Sequence, residues 1–95
     1  MAVRVKWLKA ALRDFDAEIS YIAADDPEAA RQVAGRIEDS IALLASHPAI
    51  GRPGRIAGTR ELVVPNTRYL IPYRFCHGAI EVLRLFHASR RPPKR

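Results

Sequence analysis

The side chains with the clearest capacity for chemistry lie in the last third of this sequence, between Arg60 and Arg91. The basic side chains that interrupt or follow apolar runs there include His87, Arg74, Arg84, Arg90 and Arg91. An imidazole beside cations can act as a general acid or base, and a guanidinium group can hold a phosphate or carboxylate through two hydrogen bonds. The combination predicts that this part of the chain binds something anionic.

The histidines also have a simpler interpretation. His87 follows a predicted strand, where a histidine is commonly structural, and His47 and His77 lie in predicted turns. Cys76 is the one cysteine, no histidines and acidic residues have the spacing of metal ligands, and no glycine-rich loop opens a helix. We therefore predict no metal and no nucleotide cofactor.

The two strand arginines are likewise open to more than one interpretation. Arg74 could be a solvated sheet residue that bridges Glu81 or Glu61 instead of a ligand for an external anion. Its position relative to Arg84 depends on the turn between the last two strands. A three-residue turn would put both arginines on one face of the sheet, whereas a two-residue turn would separate them.

Two amphipathic helices are predicted after a short first strand, in which Val3, Val5 and Trp7 alternate with basic residues. The first helix is expected at about 9–24, and the second begins at the capping signal Asp26-Pro27 and ends before Pro48. Their apolar stripes are Leu8, Leu12, Phe15, Ile19 and Ile22, then Ala30, Val33, Ile37, Ile41 and Leu44. Packing these stripes on a sheet would leave five acids in water, namely Asp14, Asp16, Glu18, Glu38 and Asp39.

Three more strands are predicted at about 61–64, 69–75 and 80–86. Chain direction allows the order 1-4-3-2 with every neighbour antiparallel, so the expected fold is α+β, with a helical hairpin on one face of an antiparallel sheet. Pro72 lies in the central third strand and cannot donate to the ladder, which predicts a bulge or a missing bond. Alternate residues of this strand should form the core, namely Tyr69, Ile71, Tyr73 and Phe75. As an alternative, the two tyrosines among them could stack bases.

Composition indicates one domain, residues 1–95, with a basic tail at 88–95. The net charge of +6 is uneven, because residues 14–39 carry eight acids against two arginines and residues 52–95 carry ten basic groups against two acids. Such a surface suits nucleic acid or an acidic protein. The single cysteine excludes an intrachain disulfide, and the lack of a signal peptide or long apolar run predicts a soluble, cytoplasmic protein without a membrane partner.

Short motifs follow one another nearly from end to end: Trp7, Tyr21-Ile22-Ala23, His47-Pro48, Gly51-Arg52-Pro53, Arg60-Glu61-Leu62-Val63, Tyr73-Arg74-Phe75, Ile80-Glu81-Val82-Leu83-Arg84 and His87-Ala88-Ser89-Arg90. In this order they resemble the RelE/ParE family of bacterial toxins, the toxic halves of type II toxin–antitoxin modules. The resemblance implies a helical hairpin on an antiparallel sheet and an antitoxin that wraps the toxin.

Two branches of the family differ in their target. Members resembling RelE cut messenger RNA on the ribosome and carry an arginine directly after the aromatic residue that opens the third strand. Here Leu70 follows Tyr69, and the last strand has no tyrosine, so the chain looks closer to the ParE branch, which inhibits DNA gyrase without being an enzyme. Because some nuclease members place a catalytic histidine at the position of His87, a metal-independent ribonuclease that uses Arg74, Arg84 and His87 is the alternative.

The first hypothesis is therefore a gyrase inhibitor with no catalytic residue, which inhibits growth and stabilises plasmids. It assigns toxicity and target binding to Arg74, Arg84, His87, Arg90 and Arg91. It assigns antitoxin binding to Trp7, Arg60, Arg68 and Tyr73. The implied partners are a ParD-like antitoxin, DNA gyrase and operator DNA contacted only through the antitoxin, in a hetero-oligomer without cofactor.

Overall fold

The computed structural model describes residues 2–89 and has α+β architecture, as predicted. Its elements are β1 (Arg4–Trp7), α1 (Lys9–Asp25), α2 (Pro27–Ser46), β2 (Arg52–Pro53), β3 (Arg60–Val63), β4 (Tyr69–Cys76), β5 (Ala79–Val82) and β6 (Phe86–His87). Both helices pack on one face of a six-stranded sheet. Within the described residues, neither helix is long and apolar enough to cross a membrane.

A single residue, Asp26, separates the two helices. Its backbone N–H donates to the carbonyl of Ile22 at 2.9 Å and closes α1. Its carboxylate accepts from the N–H of Ala29 at 3.1 Å and caps α2. Pro27 follows in the first turn of α2. A backbone N–H at this position has no acceptor within the helix, so the N–H that proline lacks costs no hydrogen bond. The helical hairpin and its boundary are therefore as the capping signal predicted.

The strand order is β1-β5-β4-β3-β2, with β6 paired to β4. This confirms the predicted order of the four longer strands. However, β1 runs parallel to β5, from Arg4↔Ala79 to Trp7↔Val82, so the prediction that every neighbour is antiparallel is wrong. The reason lies between α2 and β3, where the short β2 runs antiparallel to β3. Because the sequence did not predict β2, it missed the additional reversal of chain direction between β2 and β3.

Pro72 faces an irregularity in the neighbouring strand. β4 pairs with β5 through Tyr73↔Val82 and with β6 through Leu70↔Phe86. Between these pairs β4 has two residues and the facing chain has three, so the facing chain bulges. The predicted bulge is confirmed, and it divides the predicted strand 80–86 into β5 and β6.

The core lies between the helices and the sheet and contains Ala11, Ile37, Leu44, Leu62, Val64, Tyr69, Ile71, Tyr73, Ile80, Val82 and Leu85. Two expected members, Leu12 and Phe75, are exposed instead. Leu12 is 50% exposed, because the buried position on that turn of α1 belongs to Ala11, whose methyl group fits a closely packed site. Phe75 is 55% exposed, since it lies next to the last residue of β4, at the hairpin end of the sheet.

A buried tyrosine holds the loop after α2 against the sheet. The hydroxyl of Tyr73 donates to the carbonyl of Pro48 at 2.8 Å and accepts from the N–H of Gly51 at 2.9 Å. Arg60 donates to the carbonyl of Gly51 at 2.7 Å. A methyl group at Gly51 would lie 2.7 Å from the Tyr73 hydroxyl and 2.8 Å from the Glu61 carbonyl. Only glycine lets the loop pass this close to Tyr73 and Glu61. This close contact positions β2 at the edge of β3.

Candidate functional site

The two faces of the sheet are covered differently. In β4 the buried side chains that face the helices are Tyr69, Ile71 and Tyr73. The side chains between them point to the opposite face, because strand residues alternate. Both helices lie on the core side, and no other helix occurs among residues 2–89. We call the opposite surface, which includes Leu70, Pro72 and Arg74, the open face.

Arg74 lies on the open face and is paired within the chain. His77 and Gly78 have φ values of 53° and 76°, so the β4–β5 connection is a two-residue turn of the type that hairpins favour. This turn places Arg74 opposite Glu81, to which its Nε donates at 2.7 Å. The hydrogen bond and the attraction to that carboxylate raise the pKa of Arg74. The bridge to Glu81 that the sequence left open is therefore present, and the Arg74 side chain is still 48% exposed.

Arg84 is bonded to α1 and also lies over the Phe86 ring, with its Cζ 4.9 Å from the ring centroid. Its Nε and Nη2 donate to the two carboxylate oxygens of Asp14, at 2.7 and 3.2 Å. The backbone N–H of Leu85 donates to the same carboxylate at 3.0 Å. The hydrogen bond to Asp14 raises the pKa of Arg84 against the lowering effect of burial. Asp14, which we predicted to be solvated, thus links the first helix to the bulge between β5 and β6.

Replacement of Asp14 by alanine should destabilise the fold by about 1 to 3 kcal/mol, because it removes an acceptor of charged hydrogen bonds and leaves the Leu85 N–H unpaired. Part of this effect is screened, since Arg84 is partly exposed. Urea unfolding followed by circular dichroism measures it. Asp16→Ala, on an exposed side of the same helix, is the matched control and should change stability little. Equal stability of both variants would show that the Asp14 contacts contribute nothing.

His87 faces the helices. It pairs with Tyr69 across β4 and β6, and the two rings meet edge to face with their centroids 5.1 Å apart. The His87 Nδ1 accepts from the N–H of Ser89 at 3.2 Å. The Tyr69 hydroxyl donates to Glu18 at 2.9 Å, so Glu18 is a second acid that was wrongly predicted to be solvated. The extra residue of the bulge is what turns His87 to the core side, since regular alternation from Glu81 would have put it on the open face.

The three residues of the nuclease alternative are therefore not brought together. Arg74 lies on the open face, His87 lies on the core side and Arg84 binds Asp14. A proton donor and phosphate-binding cations must reach the same phosphate to cleave RNA. The described residues do not present these groups to one site. Arg90 and Arg91, the other residues assigned to toxicity, lie outside the residues that the structure describes.

The residues assigned to antitoxin binding also have different environments. Tyr73 is fully buried at the centre of β4 and offers no surface to a partner. Trp7 is half-buried and stacks edge-on against Phe15, with 5.5 Å between ring centroids. Arg60 is partly buried, and its guanidinium donates a hydrogen bond to the Gly51 carbonyl. Arg68 is exposed, with the Ser89 hydroxyl at 3.4 Å, and is the member of this set with an exposed charge.

An apolar row on the open face was missed by the sequence analysis. Val63 pairs with Leu70, and Leu70 pairs with Phe86, so three apolar side chains lie side by side on three strands. The signal was present, since Leu70 lies between two core residues and must point away from the helices. A second apolar surface, a shallow cleft of about 640 Å³ at the end of α2, is lined by Leu43, Ser46, His47, Pro48, Ala49 and Ile50.

Residues 5–92 match the family described as the ParE toxin of the type II toxin–antitoxin system parDE. This chain belongs to the ParE toxin family. The predicted RelE/ParE resemblance is thereby confirmed, and the protein is a toxin of the type II toxin–antitoxin class. Among residues 2–89 of this ParE-family toxin, no three histidine, cysteine or acidic side chains are grouped as metal ligands would be.

Curated relatives and solved structures agree with this family. The ParE-family toxin is 45% identical over 91 residues to Y4kP of Sinorhizobium fredii, a protein named as a candidate toxin, with 96% of this chain and 94% of that protein covered. It is 37% identical over 87 residues to toxin RelE2 of Caulobacter vibrioides, with 92% and 97% covered. Both relatives are covered almost entirely.

The fold is also that of solved toxin–antitoxin proteins. A chain of the chromosomal ParDE system from P. aeruginosa superimposes with a TM-score of 0.81 at 25% identity, covering 90% of this chain and 96% of that one. A chain of the RelBE2 toxin–antitoxin complex from Mycobacterium tuberculosis superimposes with a TM-score of 0.62 at 23% identity, covering 92% and 99%. The second likeness concerns the fold alone.

Proposed function

We propose that this ParE-family toxin arrests growth by binding DNA gyrase, without chemistry of its own, and that a ParD-like antitoxin neutralises it. The observation that carries the proposal is the separation of Arg74 and His87 on opposite faces of the sheet. General acid–base cleavage of RNA needs both kinds of group at one phosphate. Inhibition by surface contact needs only exposed side chains that fit the target.

The charge of the exposed residues supports a protein target contacted largely through arginine. Arginines are enriched among the residues that dominate protein interfaces, and Arg74 and Arg68 are both exposed. We assign target binding to the exposed arginines and to the basic tail, with Arg90 and Arg91 as its first members. Arg84 and His87 contribute by holding the fold beside them. The site of action is the cytoplasm, where both gyrase and the antitoxin are made.

A paired assay with the purified toxin tests the proposal. Supercoiling of relaxed plasmid by gyrase should be inhibited and cleaved DNA should accumulate, while messenger RNA on translating ribosomes should stay intact. Cuts in ribosome-bound messenger RNA with unimpaired supercoiling would replace gyrase inhibition by the ribonuclease activity expected of a protein resembling RelE. Wild-type toxin mixed with its antitoxin is the control, and it should be inactive in both assays.

The proposed antitoxin is an acidic, partly disordered protein that folds on the toxin and binds operator DNA, so that the toxin contacts the operator only as part of the hetero-oligomer. Toxin–antitoxin chains of the ParDE and RelBE2 systems share this fold, and the net charge of +6 favours an acidic partner.

The rate of association between the toxin and this antitoxin should fall as salt is raised. Opposite charges steer the encounter, and the Debye length shrinks from about 10 Å at 0.1 M to about 3 Å at 1 M salt. Stopped-flow fluorescence of Trp7, the one tryptophan, can follow binding. The dissociation rate should change less. An association rate that is independent of salt would contradict the electrostatic part of the proposal.

A further inference from the structure

Four basic side chains at the start of the chain differ from the other arginines and lysines of residues 2–89. They are Arg4, Lys6, Lys9 and Arg13, and all four are exposed. Within residues 2–89 none of them forms an ion pair or a side-chain hydrogen bond, whereas every other arginine there contacts a carboxylate, carbonyl or hydroxyl oxygen of the chain. We call these four residues the N-terminal cation stripe. Its charges are the ones that the fold leaves available to an external anion.

The stripe continues from the first strand into the first helix. In β1 the alternate side chains pack against the core, so Arg4 and Lys6 both point to the opposite side, about 6.6 Å apart along the strand. Lys9 is the first residue of α1, and Arg13 follows one turn later, about 6 Å along the helix axis. Phosphates on one DNA strand succeed each other at about 3.4 Å along the duplex axis, so each pair of cations spans about two phosphate steps.

The positions of Lys9 and Arg13 are unfavourable for an isolated helix. The N-terminal end of a helix is electropositive, so a cation in its first turn is repelled. The cap of α1 is Leu8, which has no polar side chain, and the first turn contains no acid. Lys9 and Arg13 also repel each other, because residues four apart lie on the same side of a helix. A bound anion relieves both repulsions, which favours a role for the stripe in binding.

The acids near the stripe do not neutralise it. Glu81 lies opposite Lys6 in the sheet, but its carboxylate accepts a hydrogen bond from Arg74 at 2.7 Å. Asp14 accepts hydrogen bonds from the segment that follows β5. Asp16 is exposed on the same helix and can offset at most one of the four charges. Since the first 13 residues contain no acid, an excess of positive charge remains at this edge of the domain.

The residue types of the stripe fit the backbone of duplex DNA better than a protein surface. Two of the three lysines of the chain lie in it, and lysine is depleted in protein interfaces but common among phosphate ligands. Proteins that bind single strands also stack bases on exposed aromatic rings. The aromatic ring within this stretch is Trp7, and it packs on the core side against Phe15. The stripe therefore offers charge without a stacking platform, which suits the phosphates of a duplex.

We propose that the N-terminal cation stripe binds the phosphate backbone of duplex DNA, independently of base sequence. The DNA concerned is the duplex that gyrase holds, and this step rests on the proposed inhibition of gyrase, whereas the binding of DNA itself does not. The target-binding arginines and the basic tail contact the enzyme, and the stripe contacts its DNA. Two linked contacts hold the toxin on the complex more tightly than either does alone. The antitoxin still reads the operator sequence, because phosphate contacts carry no sequence information.

Two double variants test the stripe in the full-length toxin, without gyrase. One combines Arg4→Gln with Lys6→Gln, and the other combines Lys9→Gln with Arg13→Gln. Fluorescence anisotropy of a labelled duplex measures the association constant at several salt concentrations. Because each phosphate contact contributes about 0.9 to the slope of log K against log salt, either variant should reduce the slope by about 1.8. The affinity at about 0.1 M salt should fall about tenfold or more.

A charge-matched variant separates the stripe from net charge. Arg31→Gln with Arg55→Gln also removes two positive charges, from exposed arginines that pair with acids of the chain. It should change the slope by less than about 0.5 and the affinity by less than about threefold, with circular dichroism confirming that every variant is folded. An equal loss in this variant would overturn the proposal. So would wild-type DNA binding by both stripe variants, and weaker antitoxin binding by them would then assign the stripe to an acidic protein.

Amide NMR spectra of the wild-type toxin give an answer that does not depend on any variant. Addition of a short duplex should shift the amide resonances of residues 4–13 and leave those of Arg31 and Arg55 in place. Shifts confined to residues 90–95 would make the tail the DNA contact. Larger shifts of residues 4–13 with a single strand would make the ligand single-stranded, and larger shifts with phosphatidylglycerol vesicles would make it a membrane surface. Each of these three results would overturn the proposal.

The outcomes separate this inference from the proposed function. A toxin that binds duplex DNA through the stripe without inhibiting gyrase refutes the proposed function and leaves the DNA binding intact. A toxin that inhibits supercoiling, and whose stripe variants bind DNA like the wild type, keeps the proposed function and loses the stripe. Stripe variants that bind DNA weakly should need about threefold or more toxin for half-inhibition of gyrase. Unchanged inhibition by these variants would overturn the assignment of this DNA to gyrase.

Discussion

Deletion of residues 90–95 is expected to weaken inhibition of gyrase strongly, and His87→Gln is expected to leave most of it. The deletion removes the basic tail that we assign to target contact, whereas His87 lies on the core side beside Tyr69 and presents no group to the open face. Removing a dominant contact should raise the concentration for half-inhibition of supercoiling by about 30-fold or more. Colony counts after induced expression provide the same comparison in cells.

Paired replacement of Arg74 and Arg84 by glutamine should weaken the inhibition of gyrase by a similar factor. Two control variants test whether the loss of positive charge is the cause. Asp14→Ala breaks the contacts of Arg84 with α1 but keeps both cations, so it separates loss of charge from loss of support. Arg31→Gln removes an exposed arginine of α2 that forms an ion pair with its helical neighbour Glu28, and it should leave inhibition unchanged. Loss of toxicity in a well-folded His87→Gln variant, with cuts in messenger RNA, would favour the ribonuclease.

Ile37→Ala should lower the free energy of unfolding by about 2 to 5 kcal/mol, because it leaves a cavity where α2 packs on the sheet. Ile37 has no exposed surface and belongs to the core cluster. Phe15→Ala should also destabilise the protein, since Phe15 packs against that cluster and against Trp7. Urea denaturation followed by circular dichroism measures both changes.

Leu12→Ala provides the control for this prediction. Leu12 belongs to the same apolar spacing in the sequence but is half exposed, so the substitution should change the free energy of unfolding by about 0.5 kcal/mol or less. If Ile37→Ala were as stable as the wild type, the assignment of the α2 stripe to the core would be wrong. If Leu12→Ala were as destabilising as Ile37→Ala, the orientation of α1 would be wrong.

Most of the fold could be predicted because its signals are local. The 3.6-residue spacing of α2, the capping by Asp26 and the alternation in β4 are properties of neighbouring residues, and each element occurs where these signals place it. The order of the longer strands followed from short connections. The family resemblance was likewise carried by short motifs and their order.

The tertiary structure alone decided which way the functional side chains point. Whether β1 is parallel to β5 depended on β2, which has two residues and no pattern of its own. The bulge at Pro72 was predictable, but its extra residue turned His87 towards Tyr69 and freed the Leu85 N–H for Asp14. These outcomes depend on contacts between residues far apart in the sequence, whereas periodicity and capping depend on near neighbours. For that reason the sequence could single out Arg74, Arg84 and His87 as candidates, and only the folded sheet showed that these three residues do not share a site.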